Sequence, residues 1–162
     1  MKMLAISVAL CCAYLQAHQN NEKRMAVIIP SYCNAHWYKD NLDSLFEQQY
    51  SNWYAIYIDD CSPDGTADLV RKYVMQKGMQ DKVIIVQNSV RKGALANHYC
   101  ATHMCDDWDI VVQLDGDDWF AHDRVLSYLN RIYQDDNVWL TYGSFEDWPG
   151  DKRGYCKPTP EK

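Results

Sequence analysis

Two groups of closely spaced carboxylates are the residues of this sequence best suited to chemistry. Asp59-Asp60 follows an apolar segment that ends at Ile58, and Asp115-Gly116-Asp117-Asp118 follows one that ends at Leu114. Crowded carboxylates repel one another and raise each other's pKa unless a cation neutralises them. Mg²⁺ and Mn²⁺ are the natural candidates, because both take oxygen ligands and both can bridge phosphate oxygens. The pattern therefore predicts a divalent metal site that handles a phosphate-containing ligand.

The Asp115–Asp118 group is weak evidence when taken alone, because acidic triplets are common in turns and at helix N-termini. Three neighbouring features strengthen it. A predicted strand precedes the group, Gly116 gives the backbone room to approach a ligand, and a second acidic strand end lies upstream at Asp59-Asp60. Together these features favour a metal site over an ordinary turn.

Short β-rich runs alternate with helical segments from Met25 onward. This alternation builds βαβ units, so we predict an α/β sandwich with a Rossmann-like, mainly parallel central sheet. Ser62-Pro63-Asp64 indicates a helix start, and Gly78 indicates that helix's end. The residues from Pro149 onward are expected to form a loop. The predicted strands are 26–29, 53–58, 83–86, 110–112 and 138–142, and the predicted helices are 37–49, 62–78, 93–105 and 122–133.

The predicted strands direct their carboxyl ends to one edge of the sheet. In open parallel sheets, ligands bind beyond those ends. The residues found there are Pro30-Ser31-Tyr32, Asp59-Asp60 and Asp115–Asp118. We therefore expect an acidic rim along one edge of an otherwise apolar sheet.

The composition is that of a globular protein with an acidic charge balance. The chain has 162 residues, of which 48% are hydrophobic and 13% aromatic, enough for one domain with a hydrophobic core. Its formal net charge is -6, whereas nucleic-acid phosphates are bound by basic faces. The charge therefore argues against a nucleic-acid partner.

Residues 1–24 differ from the rest and are set apart from the fold. Lys2 precedes an apolar run over residues 3–15, and Ala17 follows it, a pattern typical of a secretory signal peptide. The run is short for a transmembrane helix. Residues 18–24 are polar and indicate a linker. Two alternatives stay open: residues 1–17 act as a signal or a membrane anchor, or the protein is cytoplasmic and its true start is Met25.

The seven cysteines are scattered and odd in number. They contain no C-x-x-C pair, so the usual zinc pattern is missing. Because cysteine behaves as a small hydrophobic residue, we expect mainly buried, reduced thiols. The cysteines are Cys11, Cys12, Cys33, Cys61, Cys100, Cys105 and Cys156.

Four segments, in matching order and spacing, resemble the motifs of family 2 glycosyltransferases. The opening strand, the second-strand block D-D-x-S-x-D-G-T and the D-x-D-D after the fourth strand all have counterparts here. The looser N…G…ARN segment is matched without its arginine. The corresponding residues are Val27–Tyr32, Ile56–Thr66, Leu114–Asp118, and Asn88 with Gly93, Ala96 and Asn97.

The resemblance covers residues 25–145 and implies the GT-A fold. It divides the chain into a leader and linker at 1–24, a nucleotide-sugar-binding domain at 25–145, and a loop or tail at 146–162. That tail is the expected start of an acceptor-binding half that this chain lacks. The implied donor is a UDP- or GDP-linked sugar, the implied cofactor is Mn²⁺ or Mg²⁺, and the acceptor is an unspecified sugar, lipid or protein. Inversion at the anomeric carbon is also implied.

The resemblance also implies roles for the residues near the base. Pro30 and Tyr32 would line the base pocket, with the Tyr32 ring available for stacking. Asp60 would accept a hydrogen bond from the base, such as uracil N3–H, and the adjacent Asp59 could exchange roles with it.

Further roles follow for the acidic group and for the segment around Gly93. Asp115 would contact ribose or the metal shell, Asp117 would ligate the metal, and Asp118 would contact the sugar or support the metal. Gly93 and Gly116 would let the backbone approach the donor. Arg91 and Lys92 would either meet the diphosphate or form a solvated pair of loop charges.

Several other residues are expected to be structural. The D-G-T residues 64–66 are interpreted as a helix start, and Trp119 and Phe120 as packing residues. Trp139 and Tyr142 are assigned to a buried strand. The histidines His98, His103 and His122 are interpreted as ordinary surface or core residues.

The resemblance also implies a general base that activates the acceptor hydroxyl. In the family it usually lies well beyond the D-x-D. The late carboxylates Glu146, Asp147 and Asp151 stand in no recognisable acceptor motif, so we expect no general base in this chain.

Two other functions compete with the transferase. A non-catalytic protein that binds a nucleotide sugar would keep the donor motifs without turnover. A sugar nucleotidyltransferase would need a glycine-rich basic loop after the first strand, and residues 30–34 contain neither glycine nor a basic residue.

Overall fold

The computed structural model describes residues 22–147, residue 149 and residues 153–154. The central sheet contains β1 (Met25–Ser31), β2 (Trp53–Asp59), β3 (Val83–Gln87) and β4 (Ile110–Gln113). All four are parallel and lie in the order β3-β2-β1-β4. The predicted α/β fold with a parallel sheet is confirmed.

The two central strands are apolar because both of their faces are covered. Every residue of β1 is buried, and β2 is buried except at Tyr54, which is half-buried. Continuous apolar runs are the expected signature of strands enclosed on two sides. β3 and β4 lie at the edges and are more exposed. The core therefore centres on β1 and β2.

Within residues 22–147, four helices cover the sheet unequally: α1 (Tyr38–Phe46), α2 (Thr66–Gln76), α3 (Ala94–Thr102) and α4 (Val125–Ile132). Leu42 of α1, Val70 of α2 and Leu126 of α4 join one buried cluster with Val27 and Ile29. Ala101 of α3 packs on the opposite face, against Ile28 and two residues of β2. One face of the sheet thus carries three helices and the other carries α3.

The strand register brings the functional segments to one edge. Ser31 pairs with Asp59 across β1 and β2. Beyond β4 the chain stays beside β1, since Leu114 N–H donates to Ile28 O at 3.1 Å and Gly116 N–H donates to Pro30 O at 3.0 Å. The acidic turn therefore lies level with the ends of β1 and β2.

The predicted start of the second helix is wrong by four residues. α2 begins at Thr66, after Gly65 in the left-handed conformation with φ 83°. Ser62 does not cap the helix. Its N–H donates to Asp59 Oδ2, and its hydroxyl accepts from Cys33 N–H. Tertiary hydrogen bonds between neighbouring loops hold this segment, and a local capping signal cannot reveal them.

The predicted fifth strand at 138–142 is also wrong. These residues form no strand, and Trp139 and Tyr142 are 90% and 53% exposed rather than buried. Apolar composition favours a strand, but a strand forms only where a neighbour can complete its hydrogen bonds. The expected loop after Pro149 also departs from prediction, because β5 (Phe145–Glu146) pairs antiparallel with β6 (Arg153–Gly154).

The expectation of buried thiols is wrong for the cysteines that the structure describes. Cys33, Cys61 and Cys100 are exposed, and Cys105 is half-buried. Cys33 and Cys61 lie in loops at the strand ends with φ of 60° and 62°. Loop position, rather than the apolar character of the side chain, decides their exposure. Cys11, Cys12 and Cys156 lie outside the described residues.

The part of the chain described by the structure contains no helix long and apolar enough to cross a membrane. The predicted leader at residues 1–17 lies outside the described residues.

Candidate functional site

The carboxyl edge of the sheet brings the predicted site segments together. Asp60 N–H donates to Ser31 O at 2.8 Å, which joins the loops that follow β1 and β2. Gly116 N–H joins the acidic turn to Pro30 O. Pro30 is buried beneath this edge, and Asp115, Asp117 and Asp118 are exposed on it. The acidic rim expected from the sequence is therefore present.

Asp60 is buried, and its carboxylate is saturated with donors from the protein itself. Oδ1 accepts from Asn88 Nδ2 and Lys92 N–H, and Oδ2 accepts from Gly93 N–H, each at 2.8 Å. Burial acts to raise the pKa of Asp60, but the hydrogen bonds from Lys92, Gly93 and Asn88 outweigh it and lower the pKa to about 2. Asp60 thus holds residues 88–93 in place. Gly93 permits this with φ 88°, a backbone conformation that favours glycine.

Asp59 is also buried but only half satisfied. Its Oδ2 accepts from Ser62 N–H at 3.1 Å, whereas Oδ1 is buried without a hydrogen-bond partner among the described residues. Buried polar atoms in native proteins nearly always have partners, so an unpaired carboxylate oxygen at a sheet edge marks a place for a donor. Of the two adjacent aspartates, Asp59 is the one with acceptor capacity to spare.

The D-G-T segment holds the loop that carries Tyr32. Ala35 N–H donates to Asp64 Oδ2, and Asn34 N–H donates to Thr66 Oγ1, each at 3.1 Å. Asp64 also accepts from the backbone and hydroxyl of Thr66 at the start of α2. The predicted helix-start role therefore holds, and the segment has a second task in fixing the loop after β1.

Tyr32 is half-buried and has a cation on one face of its ring. The guanidinium carbon of Arg91 lies 3.8 Å from the ring centroid. Arg91 and Lys92 are exposed, and Lys92 contributes its backbone N–H rather than its side chain to the Asp60 network. Two residues that the sequence assigned to different parts of the donor, Tyr32 and Arg91, are thus in contact.

The backbone of the acidic turn is packed tightly at Gly116. A Cβ at this position would lie 2.6 Å from Asn34 Nδ2 and 2.7 Å from Ser31 Cβ. Asn41 of α1 secures the turn from below, because its Nδ2 donates to Asp115 O at 2.9 Å and to Asp118 O at 2.7 Å. Glycine is therefore required here for close packing, in addition to any approach of a ligand.

The three carboxylates of the turn project from this fixed backbone into solvent. Desolvation of its own carboxyl, and then the nearby charges of Asp117 and Asp115, raise the pKa of Asp118. Like charges held this close favour protonation or the arrival of a cation. The turn therefore has the electrostatics expected of a cation site.

His98 of α3 also reaches the turn, which the sequence analysis did not predict. Its Nε2 is 3.6 Å from Asp115 Oδ1. The other two histidines stay apart from the turn: His103 bonds Tyr99 O on the exposed side of α3, and His122 accepts from Arg124 N–H. Trp119 stacks with Trp37 at 6.2 Å, and Phe120 packs against the core, as the packing interpretation expected.

Two buried asparagines of the site, Asn34 and Asn41, were also missed. Asn41 left a signal, because it lies in the same stripe of α1 as Tyr38, Leu42 and Leu45, all buried. A polar residue in an apolar stripe must find partners inside the protein. Asn34 and His98 left none, since their partners are distant in sequence.

The residues of the turn fit Mg²⁺ or Mn²⁺. Asp115 and Asp117 offer exposed carboxylate oxygens, the donor type that these ions prefer. Among the described residues, no three side chains of His, Cys, Asp or Glu are arranged to form a complete metal site. Mg²⁺ characteristically binds through one or two carboxylates together with substrate phosphates. The site therefore fits an ion that arrives with a phosphorylated ligand.

Solved structures place the fold of this sheet among GT-A type transferases. TarS of S. aureus, residues 1–349 in complex with UDP, matches with a TM-score of 0.60 and 23% identity, over 68% of this chain and 32% of that one. The mannosyltransferase PcManGT of Pyrobaculum calidifontis, in complex with GDP-Man and Mn²⁺, matches with a TM-score of 0.57 and 22% identity, over 74% of this chain and 39% of that one. The fold is that of a GT-A transferase, in part.

The chain belongs to glycosyl transferase family 2, whose family model matches residues 26–157. Among curated relatives, EpsE of Bacillus subtilis, which is named as a glycosyltransferase, is 29% identical over 100 residues. That match covers 61% of this chain and 34% of EpsE. The chain thus spans about a third of the length of this relative.

Proposed function

We propose that this chain binds the nucleotide-diphospho-sugar donor of a family 2 glycosyltransferase, with Mg²⁺ or Mn²⁺ at Asp115 and Asp117. The observation that carries the proposal is the contrast at the sheet edge. Asp60 is saturated by protein donors, whereas Asp59 Oδ1 is unpaired and the turn carboxylates are open. One end of the edge thus has an acceptor with no donor among the described residues, and the other has exposed carboxylates of like charge. A nucleoside diphosphate with its metal supplies a donor to the first and a cation to the second.

The base end recognises an N–H group in this proposal. Asp59 Oδ1, which is buried in the free protein, accepts it once the base displaces the side chains that cover this atom, either from N3–H of uracil or from N1–H of guanine. Asp60 keeps the neighbouring loop in place. This exchanges the roles that the family resemblance suggested for the two aspartates. Arg91 already covers one face of the Tyr32 ring, so the base stacks on the other face or takes the place of the guanidinium.

The diphosphate lies toward the acidic turn. Asp117 ligates the metal, Asp115 supports it or contacts ribose, and Asp118 faces the sugar. The bound metal would neutralise negative charge on the departing diphosphate. The protein contributes a fixed position for the carboxylates of Asp115 and Asp117. Close packing at Gly116 and the hydrogen bonds from Asn41 hold the backbone that carries them.

The reaction that this donor site serves is transfer of the sugar to an acceptor hydroxyl, with inversion at the anomeric carbon. A carboxylate must take the acceptor's proton. We assign no residue of this chain to that role. Donor recognition is the part of the reaction that the described residues support.

The test is calorimetric titration of the full 162-residue chain with UDP and GDP, and with UDP-GlcNAc, UDP-glucose and GDP-mannose. Each titration is run with Mn²⁺ and again with EDTA. We expect one nucleotide class to bind only when metal is present. A folded protein that binds none of them would overturn the proposal.

Turnover is tested separately, by following hydrolysis of the bound donor and transfer of radiolabelled sugar to lipid and oligosaccharide acceptors. Metal-dependent binding without transfer would favour the non-catalytic nucleotide-sugar-binding protein. Release of pyrophosphate from a nucleoside triphosphate and a sugar phosphate would instead favour the nucleotidyltransferase.

A further inference from the structure

His98 contacts the acidic turn from α3, and nothing in the donor chemistry above has used it. Its Nε2 lies 3.6 Å from Asp115 Oδ1, and its side chain is only 19% exposed. The other ring nitrogen, Nδ1, is buried without a hydrogen-bond partner among the described residues. Packing therefore holds the ring, and the carboxylate of Asp115 is the polar group that it faces.

The geometry favours one tautomer of the neutral ring. A proton on Nε2 points toward Asp115 and attracts its carboxylate, and Nδ1 is then a bare acceptor. A proton on Nδ1 would instead leave a buried donor without a partner and point the lone pair of Nε2 at the carboxylate of Asp115. This second tautomer is therefore higher in free energy than the first. The Nε2–H tautomer therefore directs its donor toward Asp115.

The position of the ring is set by the network around Asp60. Lys92 and Gly93 immediately precede α3, and both donate their backbone N–H groups to Asp60. Asn97, the residue before His98, accepts from Asn88 Nδ2 at 2.8 Å inside the same buried network. The first turn of α3 is thus anchored at the base end of the site, and its next side chain reaches the metal end.

The side chain of Asp115 is free enough to require a partner that orients it. Its backbone is fixed by Asn41, but its side chain is 58% exposed and so has several rotamers open to it. Residues that orient a metal-ligating side chain typically change metal affinity by 10- to 100-fold when they are lost.

We infer that His98 is a positioning residue, which holds the Asp115 carboxylate in the orientation that receives the metal and the donor diphosphate. This inference rests on the proposed function of the site. It makes α3 a physical connection between the loop that Asp60 holds at the base end of the site and metal binding at Asp115.

The experiment compares the full-length protein with three variants by calorimetry, using UDP and GDP with Mn²⁺ and with EDTA. His98→Phe keeps a ring and removes both nitrogens. His98→Gln restores an N–H donor near the position of Nε2. His103→Phe is the matched control, since His103 is exposed just after the last residue of the same helix and contacts Tyr99 instead. Thermal unfolding of every variant is recorded in parallel.

We expect His98→Phe to weaken Mn²⁺-dependent nucleotide binding about tenfold, and His98→Gln to recover most of that loss. The midpoint of thermal unfolding, recorded in EDTA, should change little, and His103→Phe should match the wild type in both measurements. Equal binding by wild type and His98→Phe overturns the inference, and so does a loss of binding that comes with a lower midpoint of thermal unfolding, since the ring would then support the fold rather than orient the carboxylate. Absence of nucleotide binding in the wild type itself overturns the proposed function, and the inference falls with it.

Discussion

Asp60 and Asp117 are both aspartates at the same edge of one sheet, yet their environments are opposite. Asp60 is 3% exposed and accepts three hydrogen bonds from the chain. Asp117 is exposed, beside two other carboxylates on a backbone that is itself held rigid. The first carboxylate stabilises the fold, and the second leaves its charge available to a ligand. Whether an acidic strand end is structural or functional is decided by the donors that surround it.

The largest effect is expected from Asp117→Asn, which removes the proposed metal ligand and no hydrogen bond found among the described residues. Metal-dependent nucleotide binding should weaken by roughly 100-fold or more, because the remaining carboxylate cannot hold the ion well. The free energy of unfolding should stay unchanged or rise slightly, since a like-charge repulsion is relieved. Calorimetry and urea denaturation measure the two quantities.

Asp107→Asn is the control for Asp117→Asn. It removes the same charge from an exposed residue ahead of β4, at the opposite edge of the sheet. If both variants weaken binding equally, net charge rather than metal ligation is responsible, and the contrast between the two aspartates is lost.

Asp60→Asn should show the reverse pattern, with a clear loss of stability. The carboxylate stabilises the folded protein at pH values above its unfolded pKa, near 3.9, and loses that contribution as pH falls through about 2. The variant should be less stable by about 2 kcal/mol at pH 6. The difference should shrink steadily as the pH approaches 2.

Urea denaturation across that pH range follows the effect of Asp60→Asn. Asp81→Asn, at an exposed carboxylate ahead of β3, controls for the change in charge. A difference in stability that stays constant from pH 6 to pH 2 would mean that the charge of Asp60 is not what holds the loop.

Gly116→Ala should have a smaller effect, because the added methyl group meets Ser31 and Asn34 within 3 Å. Crowding of this kind should cost roughly 1–2 kcal/mol of unfolding free energy. Gly143→Ala is the matched control, since a Cβ there meets no atom of the described residues within 4 Å. Two equally stable variants would show that the acidic turn tolerates more movement than its contacts imply.

Arg91→Ala should have the smallest effect, about fivefold weaker nucleotide binding with little change in stability. An exposed cation–π contact is worth about 0.5–1 kcal/mol, so its loss leaves the Tyr32 ring less well held for stacking. Arg71→Ala, at a half-buried arginine that pairs with Asp68 and Gln87 and covers no aromatic ring among the described residues, is the control. Tighter binding by Arg91→Ala would mean that the guanidinium competes with the base for the ring.

The sequence predicted the strand ends well, because apolar runs followed by carboxylates are local patterns. These patterns placed Asp59, Asp60 and Asp115 at the carboxyl edge of the sheet, where the structure has them. The sequence did not show that Asp60, rather than Asp59, is saturated by protein donors. The partners of Asp60 lie about 30 residues away, in a segment without a recognisable local pattern. His98 was missed for the same reason. The strand at 138–142 was predicted from its apolar composition, but a strand also needs a neighbouring strand to complete its backbone hydrogen bonds.

The Asp60 network has a thermodynamic consequence for any ligand that arrives. Three hydrogen bonds to Asp60 already hold residues 88–93 in one conformation, so ligand binding does not have to order this loop. Immobilising side chains and loops is one of the main entropic costs of association. Encounter with this edge should therefore be limited by diffusion and orientation rather than by a slow closing step, and the entropy of binding should carry little penalty from the backbone.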